Sequence, residues 1–183
     1  MTAARAEGKI QSMFAERRRR FLEGLGAHAA AVLPAAPVAI RNGDVEHDYR
    51  QDSDLYYLTG FDEPQSVALF LPDGDKEKFV LFVRPRDKDR EVWDGPRAGV
   101  EGAPGQFGAD AAYAISELPD RLAKCLENVR RLYFRLGRDR VVDDIVLRAV
   151  DTVRSRARHG IDWPVEVVDP GVVLHEMRLL KDE

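Results

Sequence analysis

The chain has 183 residues, 44% of them hydrophobic and 33% charged, and 28 Lys and Arg against 32 Asp and Glu leave a net charge of −4. That length suits one packed core, two at most, and a slightly acidic chain has no bulk attraction for nucleic acid. No stretch reaches the ~18 uncharged apolar residues of a membrane span, and a single cysteine excludes an internal disulfide framework, which fits a reducing cytoplasm.

The N-terminal "MTAARAEGKIQSMFAERRRR" lacks the apolar run of a secretory signal. Its pattern predicts a first helix from Ile10 to Val32, stopping before Pro34, with Phe14, Phe21, Leu22 and Leu25 on the apolar side. The basic run Arg17 to Arg20 is then a solvated face of that helix rather than a nucleic-acid patch. "PVAI" (residues 37–40) reads as a strand. "HDYRQDSDLYYLTGFDEP" (residues 47–64) holds one His and five acidic residues around three tyrosines and a phenylalanine, and within it "DLYYLTG" reads as a short helix closed by Gly60. Tyr56, Tyr57 and Phe61 are expected to anchor this stretch in the core.

"SVALFLP" and "KFVLFVRP" are apolar runs joined by "DGDKE", a hairpin with Asp73-Gly74 at its turn. The polar, glycine-bearing stretch over residues 86–110 keeps neither period and reads as one short helix plus loops. A helix follows over Glu117 to Asn128, with Cys125 expected as a buried structural thiol, and then a strand at "RRLYFRLG". A long helix over Asp139 to Arg158 repeats Val142, Ile145, Val146, Ala149, Val150 and Val153 at spacings of three and four, and "VEVVD" is a further strand. The final "DPGVVLHEMRLLKDE" starts a helical pattern and stops in mid-turn, as expected of a piece of a longer chain. Strands alternating with helices, plus one hairpin, predict an α/β fold with helices flanking a mixed β-sheet.

The search for chemistry returns little. His47, Asp48, Asp52 and Asp54 have neither a second His nor a calcium-loop glycine, so the residues 47–64 are expected to frame a folded segment and not a metal. Asp44, Asp52, Asp143 and Asp144 could be assembled into a two-metal nuclease site only by choosing among 32 acidic residues. His175-Glu176 fails the H-E-x-x-H pattern because position 179 is Leu, and neither phosphate-loop motif occurs. Trp93, in the glycine-flanked "REVWDGPRAG", reads equally as a core residue or as part of a contact surface.

Four segments in order, "RRRRFLEGLG", "RNGDVEHDYRQDSDLYYLTGFDEP", "EVWDGPRAG" and "VVLHEMRLLKDE", together resemble the N-terminal domain of bacterial Xaa-Pro aminopeptidases (aminopeptidase P, in the creatinase and prolidase superfamily). The resemblance implies a mixed sheet related to ribonuclease H-like folds, with residues 1–174 as the N-terminal domain and 175–183 opening the junction to a C-terminal "pita-bread" catalytic domain. Two divalent metal ions, usually manganese, would be held in that C-terminal domain and none in this chain. A metal-bridged hydroxide there would attack the bond preceding a proline. The resemblance further implies no catalytic residue here, partnership with the parent's own catalytic domain, assembly into dimers or tetramers, and a cytoplasmic setting. Trp93 would reach a neighbouring subunit's substrate entrance, while Asp44 and Arg158 match polar positions near the cleft that takes the peptide substrate. The alternatives are a non-catalytic peptide- or protein-binding module of the same superfamily, or the N-terminal domain of a prolidase.

Overall fold

The computed structural model describes residues 3–43 and 45–179. In chain order these form α1 (Ala3–Leu25), β1 (Ala29–Pro34), a ribbon of β2 (Ile40–Asn42) and β3 (Val45–Glu46), α2 (Ser53–Thr59), β4 (Val67–Phe70) and β5 (Phe79–Val83). There follow α3 (Lys88–Asp94), α4 (Gly99–Phe107), β6 (Ala111–Ala114), α5 (Leu118–Cys125), β7 (Arg131–Tyr133), α6 (Arg140–Ser155), β8 (Glu166–Val168) and α7 (Gly171–Leu179). Single 3-10 turns sit at Ile115–Glu117 and Ala157–His159.

Strand β1 lies inside a six-stranded sheet of order β6-β5-β4-β1-β7-β8. It runs antiparallel to β4 and parallel to β7, and β5 and β8 extend the sheet through an antiparallel and a parallel pairing. Successive side chains on a strand point to opposite faces, so each inner strand supplies two cores at once. Ala31, Leu33, Ala68, Phe70, Leu81 and Val83 face a core closed by α1, α2, α4 and α7. Ala30, Val32, Leu69, Val80, Phe82 and Leu132 face a second core closed by α5 and α6. Helices on both faces of a mixed sheet are the α/β architecture the sequence predicts.

Several local expectations need correction. The first helix ends at Leu25, and residues expected as its tail form the buried strand β1. Alanine favours a helix in isolation, but here every residue from Ala29 to Leu33 is buried between two helical layers, and a chain reversal at Gly26 (φ +77°) precedes it. "PVAI" contributes only Ile40, to the exposed ribbon. The hairpin forms with Phe70 opposite Phe79, yet its connection is wider than a two-residue turn: Leu71 N–H donates to Lys78 O (2.9 Å) and Gly74 N–H to Leu71 O (3.0 Å).

Residues 86–110 hold two helices, α3 and α4, and β6 follows them as a strand the sequence reading lacked. In α2 the Gly60 cap is present (φ +67°, its N–H donating to Tyr56 O), and Phe61, Leu55 and Leu58 are fully buried. Tyr56, however, is half exposed, its ring set at 81° to that of Phe14 with 6.2 Å between centroids. Arg18 is not on a solvated face. It is buried, donates to Leu58 O (3.1 Å) and lies 4.6 Å over the Phe79 ring.

Candidate functional site

Beyond Val83 the chain makes an excursion over residues 84–98 and returns into α4. Asp87 caps α3, its Oδ1 accepting the N–H groups of Asp89 and Arg90 at 3.2 Å each. Glu91, one turn on, reaches back: Oε1 accepts from Arg86 Nε (3.1 Å) and Asp87 N–H (3.2 Å), and Oε2 from Arg86 Nη2 (2.7 Å). The hydrogen-bonded Arg86 guanidinium holds the Glu91 carboxyl below its ordinary value.

The returning limb is tied as well. Ala98 N–H donates to Glu63 Oε1 at 2.7 Å, while Glu63 Oε2 lies 3.6 Å from Arg84. Arg97, itself buried, donates to Pro85 O (3.4 Å). Gly99 sits at φ +66° directly under Arg86, and a Cβ there would stand 2.5 Å from Arg86 Cγ, so only glycine suits the crossing. The base of the arm is thus stitched at several points. Its tip carries Val92 and Trp93 with 77% and 88% of their surfaces exposed.

Two acidic residues of the 47–64 stretch, Asp52 and Asp54, face arginines distant in sequence. Asp52 caps α2 by accepting from Asp54 and Leu55 N–H, and its other oxygen takes Arg138 (3.3 Å). Asp54, 4% exposed, accepts from Arg178 (2.6 Å) and Arg135 (3.2 Å). Arg135 also holds Asp169 through two bonds of 2.9 and 3.0 Å, and Asp169 caps the start of α7 through Gly171 N–H. That Arg135 pairing keeps the Asp169 carboxyl below its usual range. Tyr57 Oη donates to Met177 O (3.0 Å), giving α7 a second tie to α2.

Gln51 is the centre of the stretch: its Oε1 accepts from Ala36 N–H, Tyr49 Oη and Asp52 N–H, and its Nε2 donates to Glu63 O. Burial, with the Asp52 charge adding to it, pushes the Tyr49 phenol up to about 12. Among the described residues no group of three or more His, Cys, Asp or Glu side chains could hold a metal ion. Asp52 and Asp54 of this stretch fasten α2 to α7 and to the loop after β7.

Of the residues singled out from sequence, Trp93 is at the tip of this arm. Arg158 is exposed in the Ala157–His159 turn, its Nε 3.2 Å from His159 Nε2. Asn128 N–H donates to Asp162 O and Arg130 N–H to His28 O, which places that turn where β7 and β1 begin. Trp93 follows the end of β5, which runs parallel to β1, so the two residues belong to opposite ends of the sheet. Asp44 lies outside the described residues. Glu63, Arg86 and Glu91 escaped the sequence reading. The i, i+5 spacing of Arg86 and Glu91 is not a helical pair, and nothing local links Glu63 to Ala98.

The aminopeptidase P N-terminal domain model matches residues 14–133. Xaa-Pro aminopeptidase of Escherichia coli is 37% identical over 169 residues, spanning 92% of this chain and 38% of that protein. The Haemophilus influenzae Xaa-Pro aminopeptidase is 38% identical over 168 residues, with 92% and 36% covered. Among solved structures, Pseudomonas aeruginosa aminopeptidase PepP superimposes with a TM-score of 0.87 at 44% identity over 94% of this chain and 39% of that one. A zinc-substituted E. coli aminopeptidase P in complex with product gives a TM-score of 0.86 at 36% identity, with the same coverage. The chain spans less than two-fifths of the length of these relatives. On fold, order of elements and sequence, the chain belongs to the aminopeptidase P N-terminal domain family.

Proposed function

We propose that this chain is the non-catalytic N-terminal domain of a proline-specific metalloaminopeptidase, one that releases the N-terminal residue from Xaa-Pro peptides. In this reading it contributes to oligomer assembly and to the substrate entrance, through Trp93. The observation that carries it is the match along nearly the whole chain to a minor part of the Xaa-Pro aminopeptidases, combined with the lack of a metal-ligand set among the described residues. Two divalent metal ions, manganese in the first instance, would be held by a C-terminal catalytic domain, where they would activate a water for attack on the peptide bond. The zinc-substituted relative in complex with product supports a metal centre in the larger enzymes.

Trp93 and Arg158 belong to opposite ends of the sheet, so in this reading Trp93 serves a neighbouring subunit's entrance while Arg158 and Asp44 serve a different part of the substrate cleft. An indole with a broad apolar face and one donor suits closing a pocket over a proline-containing peptide. The setting proposed is cytoplasmic; no described helix is long and apolar enough to cross a membrane. Trp93→Ala in the longer enzyme is expected to impair turnover of Xaa-Pro peptides with metal content unchanged. Unaltered turnover would remove Trp93 from the entrance.

A further inference from the structure

The exposure of Trp93 and the stitching of its arm belong together. A large aromatic side chain in solvent is an unpromising contact if the backbone beneath it moves, because ordering that backbone on contact subtracts from the binding free energy. Here the backbone is tied before any contact is made. Arg86 and Ala98 bracket the excursion, and each is held by a carboxylate: Glu91 takes the Arg86 guanidinium through both oxygens, and Glu63 takes Ala98 N–H at 2.7 Å. Glu91 also binds Asp87 N–H, so the residue that caps α3 is fixed by the same carboxylate two residues before Trp93. The left-handed Gly99 lets the Arg86 stem cross the returning limb, which joins the two ties into one base.

We infer that Glu91 and Glu63 are positioning residues for Trp93, holding the arm in its contact-ready geometry through Arg86 and Ala98 without themselves meeting substrate. This rests on the entrance role proposed for Trp93, and two measurements separate the two ideas.

The first needs only the 183-residue chain. It contains two tryptophans, so Trp163→Phe leaves Trp93 as the sole indole. In that background the fluorescence anisotropy decay of Trp93 is expected to follow overall tumbling, apart from fast ring motion. Glu91→Gln is expected to add a nanosecond segmental component, with loss of residual anisotropy and an unchanged melting temperature. Arg86→Ala should reproduce the effect, and combining the two should add nothing. An anisotropy decay untouched by both substitutions overturns the clamp, whatever Trp93 does in the enzyme.

The second uses the longer enzyme. Glu91→Gln should lower kcat/KM for Xaa-Pro peptides by roughly two- to tenfold, the equivalent of ordering one side chain at contact. It should do nothing further in a Trp93→Ala background. An equal loss in both backgrounds would show that Glu91 acts on stability or on another part of the enzyme, and would sink the inference. If Trp93→Ala alone is silent, the entrance role fails, and the anisotropy experiment still decides whether the clamp exists.

Discussion

The α2 segment and the α3 arm start from similar materials. Each is a seven-residue helix capped by an aspartate, Asp52 or Asp87, and each has acid–arginine pairs and aromatic residues close by. In the α2 segment the carboxylates reach arginines more than eighty residues away in sequence, Arg135, Arg138 and Arg178. In the α3 arm Glu91 reaches Arg86 and the Asp87 N–H, five and four residues back, and the longer ties, from Ala98 and Arg84 to Glu63, are at the base. Distant pairing commits a helix to the body of the domain. Local pairing shapes an element and leaves its tip available, and that is where the exposed indole sits.

The sharpest way to break this comparison is within α2's own core. Phe61 is fully buried, with its ring edge-on to Phe107 at 4.8 Å between centroids. Phe61→Ala is expected to cost about 3–5 kcal/mol by denaturant unfolding. An unchanged midpoint would mean the segment is not anchored. Next comes the long-range pairing. Asp54→Ala leaves Arg135 and Arg178 without their shared carboxylate, and since both arginines are partly solvated the expected loss is about 2–3 kcal/mol, less than for a wholly buried pair. Loss of under about half a kcal/mol would put α2 and α3 in the same class.

At the base of the arm, Gly99→Ala forces a Cβ into a left-handed residue and against the Arg86 stem, with an expected cost of about 1–2 kcal/mol. Trp93→Ala closes the series. With 88% of the residue exposed, it should shift stability by no more than about 0.5 kcal/mol in the isolated domain. A substantially larger loss would make Trp93 a core residue and would end the contrast between tip and body.

What could be read from sequence tracks the range of the forces involved. The α2 helix with its Gly60 cap, the β4–β5 hairpin, the long helix α6 and the strands β7 and β8 follow from residues close together, and all are present. Strand β1 reads as the end of a helix because Ala-rich sequence favours helix locally, while the burial that makes it a strand comes from helices packed on both faces. Strand β6, "AAYA", carries no strand pattern of its own and is identified by its parallel pairing with β5.

Arg18 is a different kind of miss. Phe14, Arg18, Phe21 and Leu25 are spaced 4, 3 and 4 apart, so the arginine stands within the apolar stripe, and the periodicity placed it there. Its charge drew it into the neighbouring arginine run instead. The candidate site is legible in sequence only as Trp93, which reads equally as a core residue or as part of a contact surface. The ties that aim it, Glu63 to Ala98 above all, link positions 35 apart and leave no local trace.

The clasp between α2 and α7 has a consequence for how the chain comes to be folded. Arg178 meets Asp54 across 124 positions, and Met177 meets Tyr57 across 120. Contacts of such separation are the late and slow ones in folding, because a long loop must close before they form. During synthesis, α1, α2 and the hairpin emerge early, while the face they share stays open on one side until α7 arrives. The element that seals this face, α7, is therefore also the last described element of the chain to be made. A ribosome pausing after α7 would give this domain the interval it needs to seal.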